Sequence, residues 1–180
     1  AYLLVNDRNI NTVAKAAGKK IAVLDYDEAQ KIVVKSLGGQ AVLSDISDIA
    51  KKFNNGQADI MAAPAYAYKP LELFKGLGND GAIITFPAVN MTMDLIIRPE
   101  KFSSNFGQNS RNWFLNRLNN NFALIQRIEA ELPAKYKMNL SNEDKMRYQQ
   151  ILREARIGLT KRGIYDASMM SVLKRARCTV

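Results

Sequence analysis

Apolar residues fall in short, closely punctuated runs over residues 1–100 and recur at helical spacing over residues 101–180. Punctuation is densest between Lys19 and Tyr68. Ile21-Ala22-Val23-Leu24 is wholly apolar, the pattern of a strand buried on both faces of a sheet. Ala29, Ile32, Val33 and Leu37 follow at helical spacing, with Asp25 or Asp27 as the N-cap and Gly38–Gly39 as the stop. Ala41 to Leu43 predicts a second strand. Ile46, Ile49, Ala50 and Phe53 predict a second helix, with Ser44, Asp45 and Ser47 offering caps and Asn54-Asn55-Gly56 ending it. Ala58 to Ala63 is the third strand, closed by Pro64. Strands and helices in this order make a small parallel sheet, and ligands in open α/β sheets bind beyond the carboxyl ends of the strands.

The flanking sequence extends the pattern. Tyr2 to Val5 predicts a strand, and a short helix follows from Asn11 or Thr12 to Gly18. Lys69 to Gly78 predicts a short helix with Pro70 in its first turn. Gly76-Leu77-Gly78-Asn79-Asp80-Gly81 matches G-x-G-x-x-G, but it follows a helix and precedes the apolar run Ala82 to Phe86. A dinucleotide fingerprint needs the reverse order, so the segment reads as a turn. Ile83 to Phe86 and Val89 to Arg98 predict strands, the second entering the sheet at Leu95 to Ile97. Beyond Pro99 the pattern is helical. Ser110 to Leu132 reads as one helix whose Trp113, Phe114, Leu118, Phe122, Ile125 and Ile128 form an inward stripe. Pro133 to Leu140 reads as a connector. Ser141 and Asp144 form a variant capping box opening a helix to about Arg162, with Met146, Ile151, Leu152 and Ala155 inward. Ile164 to Arg177 predicts a last amphipathic helix. The expected fold is α/β: a small mixed, mainly parallel sheet, flanking helices and a long-helix C-terminal half. Its segments are a crossing strand and short helix (1–18), an α/β ligand-binding lobe (19–105) and C-terminal helices packed on it (106–180).

Composition narrows the chemistry. Apolar residues make up 47% and charged residues 24% of the chain, proportions typical of a folded domain. No run of about 18 apolar residues exists to span a bilayer as a helix, and Ala1 opens directly on folded-looking sequence, as mature exported chains do. The absence of histidine excludes histidine-based triads, histidine–zinc sites and imidazole proton shuttles. Cys178 is the single cysteine and has no partner for an internal disulfide. Nothing assembles a nucleophile, base or metal set, so neither an enzyme nor a cofactor is expected.

Net charge is +9, and all of the excess lies in the second half. Residues 1–100 hold 11 basic and 11 acidic side chains, whereas residues 101–180 hold 15 and 6. Such a half suits a solvated helical surface, or docking on an acidic partner or membrane surface through Arg153, Arg156, Lys161, Arg162, Lys174, Arg175 and Arg177. No base-reading motif or stacking pattern accompanies it, so nucleic acid is not an expected partner.

From Thr12 to about Phe102 the chain resembles the second lobe of periplasmic solute-binding proteins of the tripartite ATP-independent (TRAP) transporter type. The likeness rests on Gly18-Lys19-Lys20 before the first strand, Leu37-Gly38-Gly39, Ser44-Asp45-Ile46, Ala58–Asp59 opening the third strand, Pro64 closing it, and Leu95 to Phe102. It implies a periplasmic location, a small-molecule solute, a membrane transporter or efflux partner, and a first lobe before Ala1. A nearer likeness, to accessories of aminoglycoside efflux in Gram-negative bacteria, implies a link to that resistance. Two sites depart from the TRAP pattern. Ala22 stands where the family carries an arginine that clamps a carboxylate, and Ala62–Ala63 where it carries Glu-Asn. A bidentate arginine is a large part of carboxylate recognition.

The candidate binding residues are those at the carboxyl ends of the strands. They are Asp25, Tyr26 and Asp27 after the first, Ser44 and Asp45 after the second, and Tyr66 and Tyr68 after the third. Asn90 and Asp94 are expected to face the same region. Carboxylates at the rim and no clamp arginine favour an amine-bearing or cationic solute over a carboxylate. The aspartates equally suit helix N-caps, and the tyrosines ordinary packing.

Overall fold

The computed structural model describes residues 1–87, 89 and 95–178. Among them, six strands form one sheet: β1 (Tyr2–Val5), β2 (Lys20–Leu24), β3 (Gln40–Ser44), β4 (Ile60–Ala63), β5 (Ala82–Ile84) and β6 (Lys137–Met138). Their order across the sheet is β3-β2-β4-β1-β5-β6. β2 pairs in parallel with β3 and β4, and β5 with β6, while β1 runs antiparallel to both β4 and β5. Five strands therefore point one way and β1 points back between them. The carboxyl ends of the five and the start of β1 share one edge, where Tyr2 stands opposite Ala63.

Helices cover both faces: α1 (Val13–Ala16), α2 (Glu28–Ser36), α3 (Ile49–Asn54), α4 (Phe74–Leu77), α5 (Phe106–Leu115), α6 (Leu118–Ala130), α7 (Asn142–Lys161) and α8 (Ala167–Cys178). Because side chains alternate across a strand, consecutive apolar residues feed two different cores. Leu4, Ala22, Met61 and Ile83 join Ile49, Phe53, Leu73, Leu77 and Tyr136 on one face. Val5, Val23, Ile60 and Ile84 join Ala16, Val34, Leu140 and Tyr148 on the other. That alternation explains why β2 reads as continuously apolar: both its faces are covered.

Two of the expected caps form as expected and are joined by the Ser141 box. But α3 opens at Asp48 with no side-chain cap bond, not at Ser44, Asp45 or Ser47. Ile46, expected to face inward on that helix, is exposed in the turn before it. Thr12 Oγ1 accepts from Lys15 N at 3.1 Å, and Asp27 Oδ1 accepts from Gln30 N at 3.0 Å. Ser141 Oγ accepts from Asp144 N at 3.0 Å while its hydroxyl donates to Asp144 Oδ2 at 2.6 Å. Asp144 thus answers the cap hydroxyl, where a longer glutamate would reach back to the cap backbone N–H.

Four further expectations are corrected. The helix placed over Ser110 to Leu132 breaks at Asn116–Arg117 into α5 and α6, and its stripe is open rather than inward. Trp113, Phe114, Leu118, Phe122 and Ile125 are all exposed, and only Ile128 of the stripe is half-buried. Leu95 to Ile97 do not enter the sheet; Leu95 and Ile96 are exposed, and β6 takes the edge position beside β5. Pro70 lies ahead of α4, in a run of turns through Glu72, whose φ of 50° helices do not tolerate. Within α7, Ala155 and Leu159 are buried and Ile151 and Leu152 half-buried, but Met146 is exposed.

One buried group makes stability depend on alkaline pH. The Tyr148 hydroxyl is pushed up from 10.0 to about 12, by burial first and then by the Asp144 charge. The folded state therefore holds this proton more tightly than the unfolded chain. Its contribution is intact below pH 10 and is lost as the pH rises towards 12, at about 1.4 kcal/mol per unit. Urea titrations across that range check it: Tyr148→Phe is expected to lack the wild-type's steeper loss, and parallel curves would refute the assignment.

Candidate functional site

The candidate site lies on the shared strand-end edge. After β4, Pro64 turns the chain into a 3-10 turn, Ala65–Ala67, which carries Tyr66 and leads to Tyr68. The last turn of α6 returns to the same place. Ala65, Tyr66, Tyr68, Lys69 and Pro70 on one side, and Ile128, Glu131 and Leu132 on the other, line an open cleft of about 240 Å³.

Its floor is apolar. Tyr68 and Leu132 are buried in the same core cluster as Ala22 and Ala63. Tyr68 meets Phe74 edge-on with centroids 6.2 Å apart, and burial raises its hydroxyl pKa, with Tyr136 adding to the effect. Its lips are charged: Lys69 Nζ lies 2.6 Å from Glu131 Oε2. That hydrogen bond, followed by the attraction of the same ammonium, holds the Glu131 carboxyl below the usual range. From β1, Tyr2 faces Glu129 in the same helical turn; burial first, then the Glu129 carboxylate, pushes Tyr2 up to about 12.

The structure brings Tyr66 and Tyr68 together in this cleft; Tyr66 is 58% exposed, so its ring is available to a ligand, whereas Tyr68 is floor. The remaining candidates occupy the adjoining edge at the ends of β2 and β3. Asp25 is exposed and its N–H donates to Ser44 O at 3.0 Å, joining the two strand ends. Tyr26 is 68% exposed. Asp27 is engaged as the cap of α2. Ser44 is buried, and its hydroxyl donates to Val42 O at 3.0 Å, so it serves its own strand. Asp45 accepts from the Ser47 hydroxyl at 2.6 Å and from Ser47 N at 2.8 Å, bonds that depress its pKa. Asn90 and Asp94 lie outside the described residues.

Lys69, Glu129 and Glu131 were not among the sequence candidates. Lys69 follows the third strand as closely as Tyr68 does, so position marked it; the two glutamates sit at the end of a helix whose stripe drew attention elsewhere. Gln30 was also missed: its Oε1 accepts from Leu24 N at 3.0 Å and closes the end of β2. Among the described residues, no three of His, Cys, Asp and Glu cluster so as to hold a metal ion, and no helix is long and apolar enough to cross a membrane.

Residues 1–180 match the family described as solute-binding protein AdeT 1/2. The Acinetobacter baumannii protein named "Probable solute-binding protein AdeT1" is 52% identical over 178 residues, covering 99% of this chain and 59% of that protein. "Probable solute-binding protein AdeT2" of the same organism is 33% identical, covering 99% and 75%. Among solved structures, a TRAP periplasmic solute-binding protein from Pseudomonas aeruginosa with bound L-malate superposes with a TM-score of 0.69 at 14% identity, covering 86% of this chain and 59% of that one. The periplasmic ectoine-binding protein of Halomonas elongata superposes at 0.68 with 10% identity, covering 96% and 58%. A further one, from Desulfovibrio salexigens with bound orotic acid, reaches 0.64 at 12% identity, covering 97% and 58%. At these identities the likeness is one of fold, and it is that of a TRAP solute-binding protein. The chain thus spans a little under three fifths of the length of AdeT1 and of these structures. Matched along its whole length, the chain belongs to the AdeT 1/2 solute-binding protein family.

Proposed function

We propose that this chain is the ligand-binding lobe of a periplasmic solute-binding protein that hands a small solute to a membrane transporter. The observation that carries the proposal is the cleft at the carboxyl end of β4. It combines an apolar floor, an exposed tyrosine and two opposite charges at the edge where open α/β sheets bind ligands. Its role is capture rather than catalysis.

Two lines bear on the ligand. Proteins of the same fold take L-malate and orotic acid, which favours a carboxylate-bearing solute. Here, though, Ala22 is buried in the core where a clamp arginine would stand, and Asp25, Asp45, Glu129 and Glu131 surround the edge, which favours an amine. Aminoglycosides suit that local chemistry, while a net charge of +9 opposes polycations at long range. Calorimetric titration with dicarboxylates, amino acids, kanamycin and gentamicin discriminates among these classes. Tyr66→Ala is expected to weaken the binding found by about tenfold, the loss of one aromatic contact. Undiminished affinity would remove the cleft from the proposal.

A further inference from the structure

The lips of the cleft carry one cation and one anion, and among the described residues no other charged side chain lines it. Lys69 comes from the turn after β4 and Glu131 from the end of α6, so the pair bridges two elements 62 positions apart in sequence. Both side chains are well exposed, 69% and 50%, so water screens their attraction and the pair opens at little cost. Ile128, Leu132, Pro70 and Tyr66 line the same cleft.

We propose that the cleft takes a small zwitterion inserted into this ion pair, its carboxylate on Lys69 and its ammonium on Glu131. The inference rests on the solute-binding reading above and names the ligand class of the same site. Its logic is one of pairing. A zwitterion replaces both halves of the bond it opens, and neither protein charge is left without a partner. A dicarboxylate satisfies Lys69 but sets its second carboxylate against Glu131; a diamine satisfies Glu131 and sets its second ammonium against Lys69. The apolar floor then receives the methylenes joining the two ends.

Three four-carbon probes isolate the effect of charge: 4-aminobutanoate, succinate and 1,4-diaminobutane. In calorimetric titrations the wild-type chain is expected to bind 4-aminobutanoate about tenfold or more tighter than either of the others. Glu131→Lys should move the preference to succinate, and Lys69→Glu should move it to the diamine. The double variant Lys69→Glu/Glu131→Lys should recover 4-aminobutanoate, which can bind reversed. Both positions are exposed, and unchanged thermal midpoints confirm that the variants fold. A wild-type preference for succinate or the diamine, or preferences that none of the variants move, overturns the zwitterion and leaves the solute-binding reading standing. So does silence with all three probes when a solute of the broader panel binds. Silence across that panel as well overturns both.

Discussion

Gly81→Ala is expected to destabilise the fold by about 3 kcal/mol or more, the upper end of what overpacking costs. A methyl at Gly81 would lie 2.3 Å from Leu77 O, 2.7 Å from Leu77 Cα and 2.7 Å from Val5 O. All three are backbone atoms, so no side chain can swing aside. Leu77 closes α4, and its carbonyl already accepts from Gly81 N at 2.8 Å; Val5 is the last residue of β1, paired with Ala82. Relief would have to come from separating β1 from β5, in the middle of the sheet. In a chain of this size the thermal midpoint should fall by roughly 6–12 °C. Gly158→Ala supplies the control: it lies within α7 with nothing inside 4 Å of a new methyl, and helix propensity should raise stability by about 0.5–1 kcal/mol. One substitution, two opposite signs, measured by the same chemical denaturation, separates close backbone approach from any general effect of glycine. A Gly81→Ala midpoint equal to the wild-type's would refute it. The last glycine of the G-x-G-x-x-G segment is there to let two strands and a helix meet, not to cradle a phosphate.

The parallel core was legible because its signals are local. Gly38 and Gly56 sit at φ of 71° and 72°, the left-handed conformation that a helix stop demands, and each was readable as punctuation. The alternation that assigns Leu4 and Val5, or Ile83 and Ile84, to opposite cores needs only a period of two. The C-terminal half was read less well, and for a definite reason. Helical periodicity reports that Trp113, Phe114, Leu118, Phe122 and Ile125 share a face; it carries no information about what, if anything, covers that face. β6 has two residues, too few for any pattern, yet it takes the edge beside β5, while Leu95 to Ile97, expected to enter the sheet, stay out of it. The site divides along the same line. Tyr66 and Tyr68 follow a strand end directly and were found by position. The Lys69–Glu131 pair exists only because α6 returns to the strand-end edge, a long-range event that spacing along the chain does not encode.

Phe53→Ala is expected to cost about 3–5 kcal/mol, the range for emptying a fully buried phenylalanine site. Phe53 is completely buried in the cluster that also holds Tyr68 and Leu132, the floor of the cleft. It is also the surface on which α3 meets α4. A methyl added at Gly76 would come within 2.4 and 2.5 Å of the Phe53 ring, so the ring occupies the space that glycine leaves. Asn54 fixes the approach, accepting from Gly76 N at 3.2 Å and donating to Leu71 O at 3.0 Å. This geometry predicts a coupling as well as a loss. Gly76→Ala in the wild type should cost about 1–3 kcal/mol from overpacking. In the Phe53→Ala background the methyl enters the cavity and most of that cost should vanish, leaving only its contact with Phe53 O at 3.0 Å. A double-mutant cycle by urea unfolding should therefore return an interaction energy of about 1 kcal/mol or more. Simple additivity would mean that ring and glycine do not share the space, and that the α3–α4 contact is held by something other than Phe53.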